Sequence, residues 1–96
     1  MRNDKAVLDK KTSLLLLFSR GAKTRERILL TLKYGQKNCN QIRGELGVDW
    51  WTVQKHLKQL KAANLVEDVS LGRILYYKIT EKGENAMRFV CSKIPK

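Results

Sequence analysis

The fold of this chain is indicated most clearly by residues 40–60, which read Asn40-Gln-Ile-Arg-Gly-Glu-Leu-Gly-Val-Asp-Trp-Trp-Thr-Val-Gln-Lys-His-Leu-Lys-Gln-Leu60. The first part of this stretch predicts a helix over 38–46 that Gly47 ends, because glycine readily adopts the left-handed conformation found at helix ends. Asp49 then occupies an N-cap position, where its carboxylate accepts hydrogen bonds from free backbone amides. A second helix is therefore predicted over 50–63. Two helices joined by so short a turn are typical of the helix-turn-helix motif of DNA-binding proteins.

The second helix of this motif has two distinct faces. One side forms an apolar stripe that is predicted to face the core, and its members are Trp50, Val53, Leu57 and Leu60. The opposite side carries the candidate DNA-reading side chains, which are Trp51, Thr52, Gln54, Lys55 and Lys58. Glutamine pairs with adenine edges, threonine and tryptophan contact thymine methyl groups or sugars, and lysine reaches guanine or phosphate. An exposed tryptophan also favours a contact surface over a merely solvated helix face.

The composition favours a polyanionic partner. The 96 residues include 20 Lys plus Arg against 9 Asp plus Glu, which gives a formal net charge of +11. Such a surplus attracts DNA, RNA and anionic lipid without choosing among them, so the choice of double-stranded DNA depends on the motif. The 43% of hydrophobic residues suffices for one modest core, and a single domain over 1–96 is predicted.

Several other protein classes are disfavoured by the sequence. The longest apolar run, Leu14-Leu-Leu-Leu-Phe18, is far shorter than the roughly 20 residues of a membrane-spanning helix, and the N-terminus lacks the pattern of a signal peptide. We therefore expect a cytoplasmic protein with no membrane partner. Cys39 and Cys91 form no CxxC pair, and with His56 they do not complete a zinc site in one chain, although a site shared across a dimer stays open.

No catalytic constellation is detectable in the sequence. It contains no nucleophile with a base partner, no paired carboxylates and no phosphate-binding glycine loop. We expect a protein that is not an enzyme and that has no cofactor and no metal. His56 is interpreted as structural or phosphate-contacting, and Cys91 as a small apolar residue or as one half of a disulfide across a dimer.

The remaining elements surround the motif. Helices are predicted over 5–19, 23–34 and 80–94, and a β-hairpin over 65–79, with a glycine turn at Ser70-Leu-Gly-Arg73. Three core helices, a hairpin and a closing helix predict a mainly α fold with a β-hairpin wing (α+β). This is a winged helix-turn-helix with additional N- and C-terminal helices for dimerisation.

Two further sets of residues are candidate interaction sites. Apolar stripes on the terminal helices predict a homodimer, through Leu14, Leu15, Phe18, Met87, Val90, Cys91 and Ile94. Basic side chains in the wing and the helical core are predicted to contact the DNA backbone, namely Arg73, Lys78, Arg25, Lys37 and Arg43.

Six short stretches occur in a characteristic order and spacing, which are Thr24-Arg-Glu-Arg-Ile-Leu29, Leu46-Gly-Val48, Thr52-Val-Gln-Lys-His-Leu57, Asn64-Leu-Val66, Tyr76-Tyr-Lys-Ile-Thr80 and Glu81-Lys-Gly83. Through these stretches, residues 12–87 of the chain resemble ArsR-type winged-helix transcriptional regulators, especially small archaeal ones. The resemblance implies a homodimer joined by the terminal helices, recognition helices in successive major grooves, and wings along the DNA backbone or minor groove. It places the recognition positions on Trp51, Thr52, Gln54, Lys55 and Lys58, and the wing-tip arginine on Arg73.

The chain also departs from that family pattern. The paired cysteines and the carboxylate and histidine ligands of metal-sensing members do not appear, so no small-molecule effector is predicted. The tryptophans at 50 and 51 are bulkier than the small polar residues usual at these positions. Asn64 stands where glycine is common, and we expect it to adopt the same left-handed conformation.

The predicted function is that of a sequence-specific, double-stranded-DNA-binding transcriptional regulator. We expect a repressor that binds a palindromic site as a homodimer. Two alternatives stay open. A non-specific architectural DNA-binding protein would use the same basic surface, and a winged-helix protein-interaction module would present Trp51 as a protein hot spot.

Overall fold

Helices and a three-stranded sheet alternate along the part of the chain that the computed structural model describes, residues 8–93. The helices are α1 (Lys10–Ser13), α2 (Ala22–Leu32), α3 (Cys39–Leu46), α4 (Trp50–Ala62) and α5 (Glu81–Lys93). The strands are β1 (Lys37–Asn38), β2 (Val66–Leu71) and β3 (Ile74–Ile79). This arrangement confirms the predicted mainly α fold with a β-hairpin wing. None of the helices in these residues combines the length and apolar character that spanning a membrane requires.

Local capping sets the bounds of the helix-turn-helix. Asn38 and Gln41 form a reciprocal capping box, in which each side chain accepts from the other's backbone amide, at 2.8 and 2.9 Å. Gly47 ends α3 with φ 73°, and the Asp49 carboxylate accepts from the Thr52 amide at 2.7 Å to begin α4. Each bond satisfies an amide that the helix itself leaves free. These contacts confirm the predicted turn between the two helices.

The wing is larger by one strand than the predicted hairpin. β2 and β3 pair antiparallel from Val66 opposite Ile79 to Leu71 opposite Ile74, and β1 pairs with the other edge of β3. The sheet order is therefore β1-β3-β2. β1 has two residues, too few for a period-two pattern to show in the sequence.

The N-terminal helical region differs from the helix predicted over 5–19. α1 begins at Lys10, because Asp9 caps it, while residues 5–7 lie outside the described residues. After α1 the backbone widens into a π-helical segment, Leu14–Phe18, whose hydrogen bonds reach five residues back. A π-helical turn shifts the following side chains by about one position. A regular helical period therefore does not continue through this segment.

The joint between α4 and α5 depends on unusual backbone positions. Asn64 adopts φ 64° after α4, which confirms its expected left-handed conformation. Its carbonyl oxygen accepts from the Thr80 hydroxyl at 2.7 Å, and the same hydroxyl oxygen accepts from the Gly83 amide at 3.0 Å. Thr80 thus caps α5, as predicted, and links α5 to the residues that follow α4.

Gly83 is required by close packing, which gives a matched pair of predictions. A Cβ atom at this position would overlap the carbonyl oxygen of Leu65 and lie 2.7 Å from Cγ1 of Ile79. We expect Gly83→Ala to lower the free energy of unfolding by about 2 kcal/mol, because backbone cannot move aside cheaply. At Gly44, within α3, a Cβ atom would meet nothing within 4 Å, so Gly44→Ala should raise it by about 0.5–1 kcal/mol. Urea unfolding measures both, and equal effects would contradict this account.

Candidate nucleic-acid interface

The exposed face of α4 presents the predicted recognition side chains together. Trp51 is 76% exposed, Lys55 and Lys58 are exposed, and Thr52 and Gln54 are half-buried. The core side of the same helix is fully covered at Val53, Leu57 and Leu60. α4 therefore has its stabilising face inward and a polar and aromatic face outward.

Trp50 does not lie where the apolar stripe predicted. It is 39% exposed, because it lies in the first turn of α4, and its ring packs against Trp51 instead. The ring centroids are 5.0 Å apart and the planes meet at 87°, an edge-to-face pair. Aromatic quadrupoles favour this geometry, which restrains both rings.

A shallow groove runs along this face. It has a volume of about 410 Å³ and is lined by Trp50, Trp51, Gln54, Lys55 and Lys58. We call it the recognition groove. A neighbouring groove of about 270 Å³ lies between α4 and the wing. Trp50 and Gln54 line it on the side of α4, and Arg73 and Leu75 line it on the side of the wing. Trp50 and Gln54 border both grooves.

The predicted backbone-contacting residues occupy different environments. Arg73, next to Gly72 in the tight turn of the wing, is exposed, as is Arg43 on α3. Lys78 is exposed and lies 3.8 Å from Glu67. Lys37 is half-buried, donates to the Thr31 carbonyl at 2.9 Å and lies 3.9 Å from Glu45.

Arg25 is a clear correction, because it does not face solvent. Its side chain is 2% exposed, and its guanidinium donates to acceptors from three parts of the chain. These acceptors are the Leu15 and Arg20 carbonyls at 2.8 and 2.9 Å, the Ser19 hydroxyl at 2.6 Å, Gln59 Oε1 at 2.8 Å and His56 Nδ1 at 3.1 Å. Five hydrogen bonds to neutral acceptors hold this buried cation inside the domain, where it is not available to DNA.

The sequence contained a signal for this buried position. Arg25 precedes Ile28, Leu29 and Leu32 by three, four and seven residues, which is the spacing of one helix face. The prediction gave more weight to residue type, since charged side chains are almost never fully buried. His56 shows the same spacing relative to Val53 and Leu60, and it too is buried.

The surroundings of His56 lower the pKa of its imidazole. Burial is the main cause that lowers its pKa below the ordinary value of 6.5, and the positive charges of Arg25 and Lys55 lower it further. Nδ1 of His56 lies 3.1 Å from a guanidinium nitrogen of Arg25 and 3.3 Å from Oε1 of Gln59, and the contact with Gln59 opposes part of the lowering of the pKa. Burial also lowers the pKa of the Arg25 guanidinium. These contacts make His56 a structural residue.

This network predicts a loss of stability in mild acid. The pKa of His56 is lower in the folded protein than in the unfolded chain, so the unfolded chain binds the proton first. The contribution of His56 to the free energy of unfolding is complete above about pH 6.5. It decreases as the pH falls towards the lowered pKa of the folded protein. We expect the urea midpoint to decrease between pH 7 and pH 5, and to do so less in His56→Gln. Parallel profiles for both proteins would contradict this account.

The predicted dimer residues separate into two groups. Phe18 is 74% exposed and Leu14 48% exposed, Cys91 is exposed and Leu15 is half-buried. Met87 and Val90 instead pack within the core of the same chain, so the monomer itself buries these two predicted dimer residues. Both residues lie on α5, which packs against α2. Ile94 lies outside the described residues.

Neither cysteine belongs to a cluster of potential metal ligands in the described part of the chain. Cys39 is half-buried at the start of α3, where burial raises the pKa of its thiol. Among residues 8–93, no group of three His, Cys, Asp or Glu side chains is arranged to hold a metal ion.

Comparison with known proteins identifies the family to which this fold and surface correspond. The family model described as "Methanogenesis regulatory protein FilR1, N-terminal domain" matches residues 13–93. The chain belongs to this family. No curated protein matches it in sequence.

Solved structures share its winged-helix fold. The hsRosR structure has a TM-score of 0.73 at 21% identity, covering 88% of this chain and 76% of that one. The transcriptional regulator HlyU of Vibrio vulnificus has a TM-score of 0.68 at 19% identity, with coverages of 86% and 88%. A mutant of Lactococcus lactis ZitR has 0.68 at 23% identity, with coverages of 73% and 50%, so this chain spans about half of ZitR. These structures share the fold of this chain, and the matching family model describes the N-terminal domain of a regulatory protein.

Proposed function

We propose that this FilR1-family domain is a sequence-specific, double-stranded-DNA-binding transcriptional regulator of the ArsR-like kind, acting in the cytoplasm. The observation on which the proposal rests is the exposed face of α4, where two lysines and two tryptophans surround the recognition groove. A helix with these side chains fits the width of the DNA major groove. A mutant ZitR whose structure was solved in complex with DNA supports the proposal, with a TM-score of 0.65 over 72% of this chain.

In this proposal the wing and α3 hold the domain on the duplex. Arg73 would contact the backbone or minor groove from the wing, and Lys78, Arg43 and Lys37 would lie near phosphates. Such contacts set the orientation of the protein and carry no base specificity. The net charge of +11 adds a long-range attraction to the same partner.

We also propose a homodimer that represses transcription by occupying a palindromic site. The exposed apolar side chains of Leu14 and Phe18, near the start of the described chain, support a protein contact there, with Cys91 close to the end of α5. Two-fold symmetry in the protein requires two-fold symmetry in the operator. Sedimentation at micromolar concentration tests the dimer, and a monomer would refute it.

Selection and sequencing of random duplex DNA retained by the protein at near-physiological salt tests the function. We expect enrichment of an inverted repeat whose half-sites are about one helical turn apart. Retention without enrichment would overturn site-specific binding in favour of an architectural role. No retention would overturn DNA binding and favour a protein-interaction role, for which the exposure of Trp51 is the supporting observation.

A further inference from the structure

The tryptophan pair at the start of α4 is a preformed apolar wall beside a hydrogen-bonding amide. Trp50 and Trp51 are 39% and 76% exposed, and their edge-to-face contact at 5.0 Å restrains both rings. Gln54 follows them by four and three residues, so it lies on the same side of the helix. All three side chains line the recognition groove. The wall therefore exists before any partner binds, and little ordering is needed to use it.

The chemistry of this wall differs from that of the rest of the groove. Lys55 and Lys58 supply positive charge, which suits phosphates and the acceptor-rich edge of guanine. Gln54 supplies a donor and an acceptor together, which match the N7 and N6 groups of adenine in the major groove. The indoles offer mainly apolar surface. Among the four bases, thymine alone presents an apolar group, its 5-methyl, to the major groove.

The positions of Trp50, Trp51 and Gln54 allow them to contact one base pair or two adjacent base pairs. Gln54 and Trp50 border both the recognition groove and the neighbouring groove under the wing. They therefore lie between the two concave surfaces, and Trp51 extends the wall outward from them. The Gln54 amide can hydrogen-bond to adenine, and the indole surface beside it can cover the methyl group of thymine. The surface therefore complements both bases of an A·T pair.

We propose that Trp50 and Trp51 bind the 5-methyl group of a thymine in each half-site while Gln54 pairs with an adjacent adenine edge. This inference rests on the proposed function, since it requires α4 to enter the major groove. It assigns the base preference of the domain to an aromatic contact, with the lysines providing affinity. Removing one buried methyl group from a complex lowers affinity by about fourfold.

The test uses the duplex enriched by selection, with each thymine replaced singly by deoxyuridine. Deoxyuridine keeps the base pair and every hydrogen-bonding group and removes only the methyl group. We expect one position per half-site at which the replacement weakens binding about fourfold. Trp51→Ala should bind the two duplexes equally, whereas Lys58→Ala should bind both more weakly and keep their ratio. Trp51 is largely exposed, so the variant is expected to fold, which thermal unfolding checks.

The outcomes separate this inference from the proposed function. An enriched duplex in which no deoxyuridine replacement changes affinity overturns the thymine contact and leaves site-specific binding intact. A methyl effect that persists unchanged in both Trp51→Ala and Trp50→Ala overturns the assignment to the tryptophans. Failure to enrich any duplex overturns both proposals. A methyl effect that Trp51→Ala abolishes, together with loss of adenine preference in Gln54→Ala, supports the inference.

Discussion

Replacing Lys55 and Lys58 together with alanine is expected to weaken duplex DNA binding by about 30-fold at near-physiological salt. Both side chains are exposed and line the recognition groove. Each phosphate neutralised by a lysine releases about 0.9 counterion, so two contacts contribute about fivefold each at this salt concentration. The slope of log affinity against log salt should become shallower by about 2. Binding measured between 50 and about 300 mM salt gives both quantities.

A charge-matched control separates local contact from net charge. Lys23 on α2 and Lys33 directly after α2 are both exposed. Lys33 borders a different groove, with Leu30 and Arg88. Lys23→Ala with Lys33→Ala removes the same total charge, and we expect it to change the salt slope by less than about 0.5. If both double variants lose affinity equally, the net charge accounts for binding and α4 is not the contact surface.

Replacing Arg25 with alanine is expected to lower the free energy of unfolding by about 3 kcal/mol or more. The change removes five hydrogen bonds and leaves the carbonyl groups of Leu15 and Arg20 without this donor. It also opens a cavity between α4 and the segment before α2. A domain of this size has a total stability of only about 5–15 kcal/mol, so partial unfolding at 37 °C is expected. Urea unfolding at 25 °C measures the loss.

Arg27 provides the matched control for Arg25. It lies on the same helix, is exposed, and makes one long hydrogen bond, 3.3 Å to the Leu46 carbonyl. Arg27→Ala should change stability by less than about 0.5 kcal/mol. The loss of stability in Arg25→Lys should lie between those of Arg25→Ala and Arg27→Ala, because an ammonium group keeps the charge and does not reach all five acceptors. A small effect of Arg25→Ala would show that the network contributes little to the fold.

The Arg25 network also joins the segment before α2 to α4. Its guanidinium joins the residues before α2 to His56 and Gln59, both on α4. Gly21 closes the contact, since its φ is 87° and a Cβ atom there would lie 2.7 Å from Cε1 of His56. The orientation of α4 therefore depends on residues about 30 positions away in sequence. No helical period in either segment predicts such a contact.

Local sequence was sufficient to predict the helix-turn-helix and, apart from Trp50, its two faces. The capping residues Asn38 and Asp49, the glycine at 47 and the stripe of Val53, Leu57 and Leu60 act within one or two turns of chain. The same holds for the wing hairpin, whose strands are joined by the tight turn at Gly72. The five side chains predicted to read DNA lie close together because one helix carries them all, and their contact with DNA stays a prediction.

What the sequence by itself determined is therefore the class of fold, the order of its elements and the outward face of α4, since each follows from contacts between near neighbours in the chain. The tertiary structure decided the burial of Arg25 and His56, the inward position of Met87 and Val90, and the pairing of β1 with β3. These features depend on which distant segments cover a side chain or supply its hydrogen-bond partners. Residue type argues against a buried arginine on average, and only the surrounding acceptors, assembled from separate segments, make that position stable.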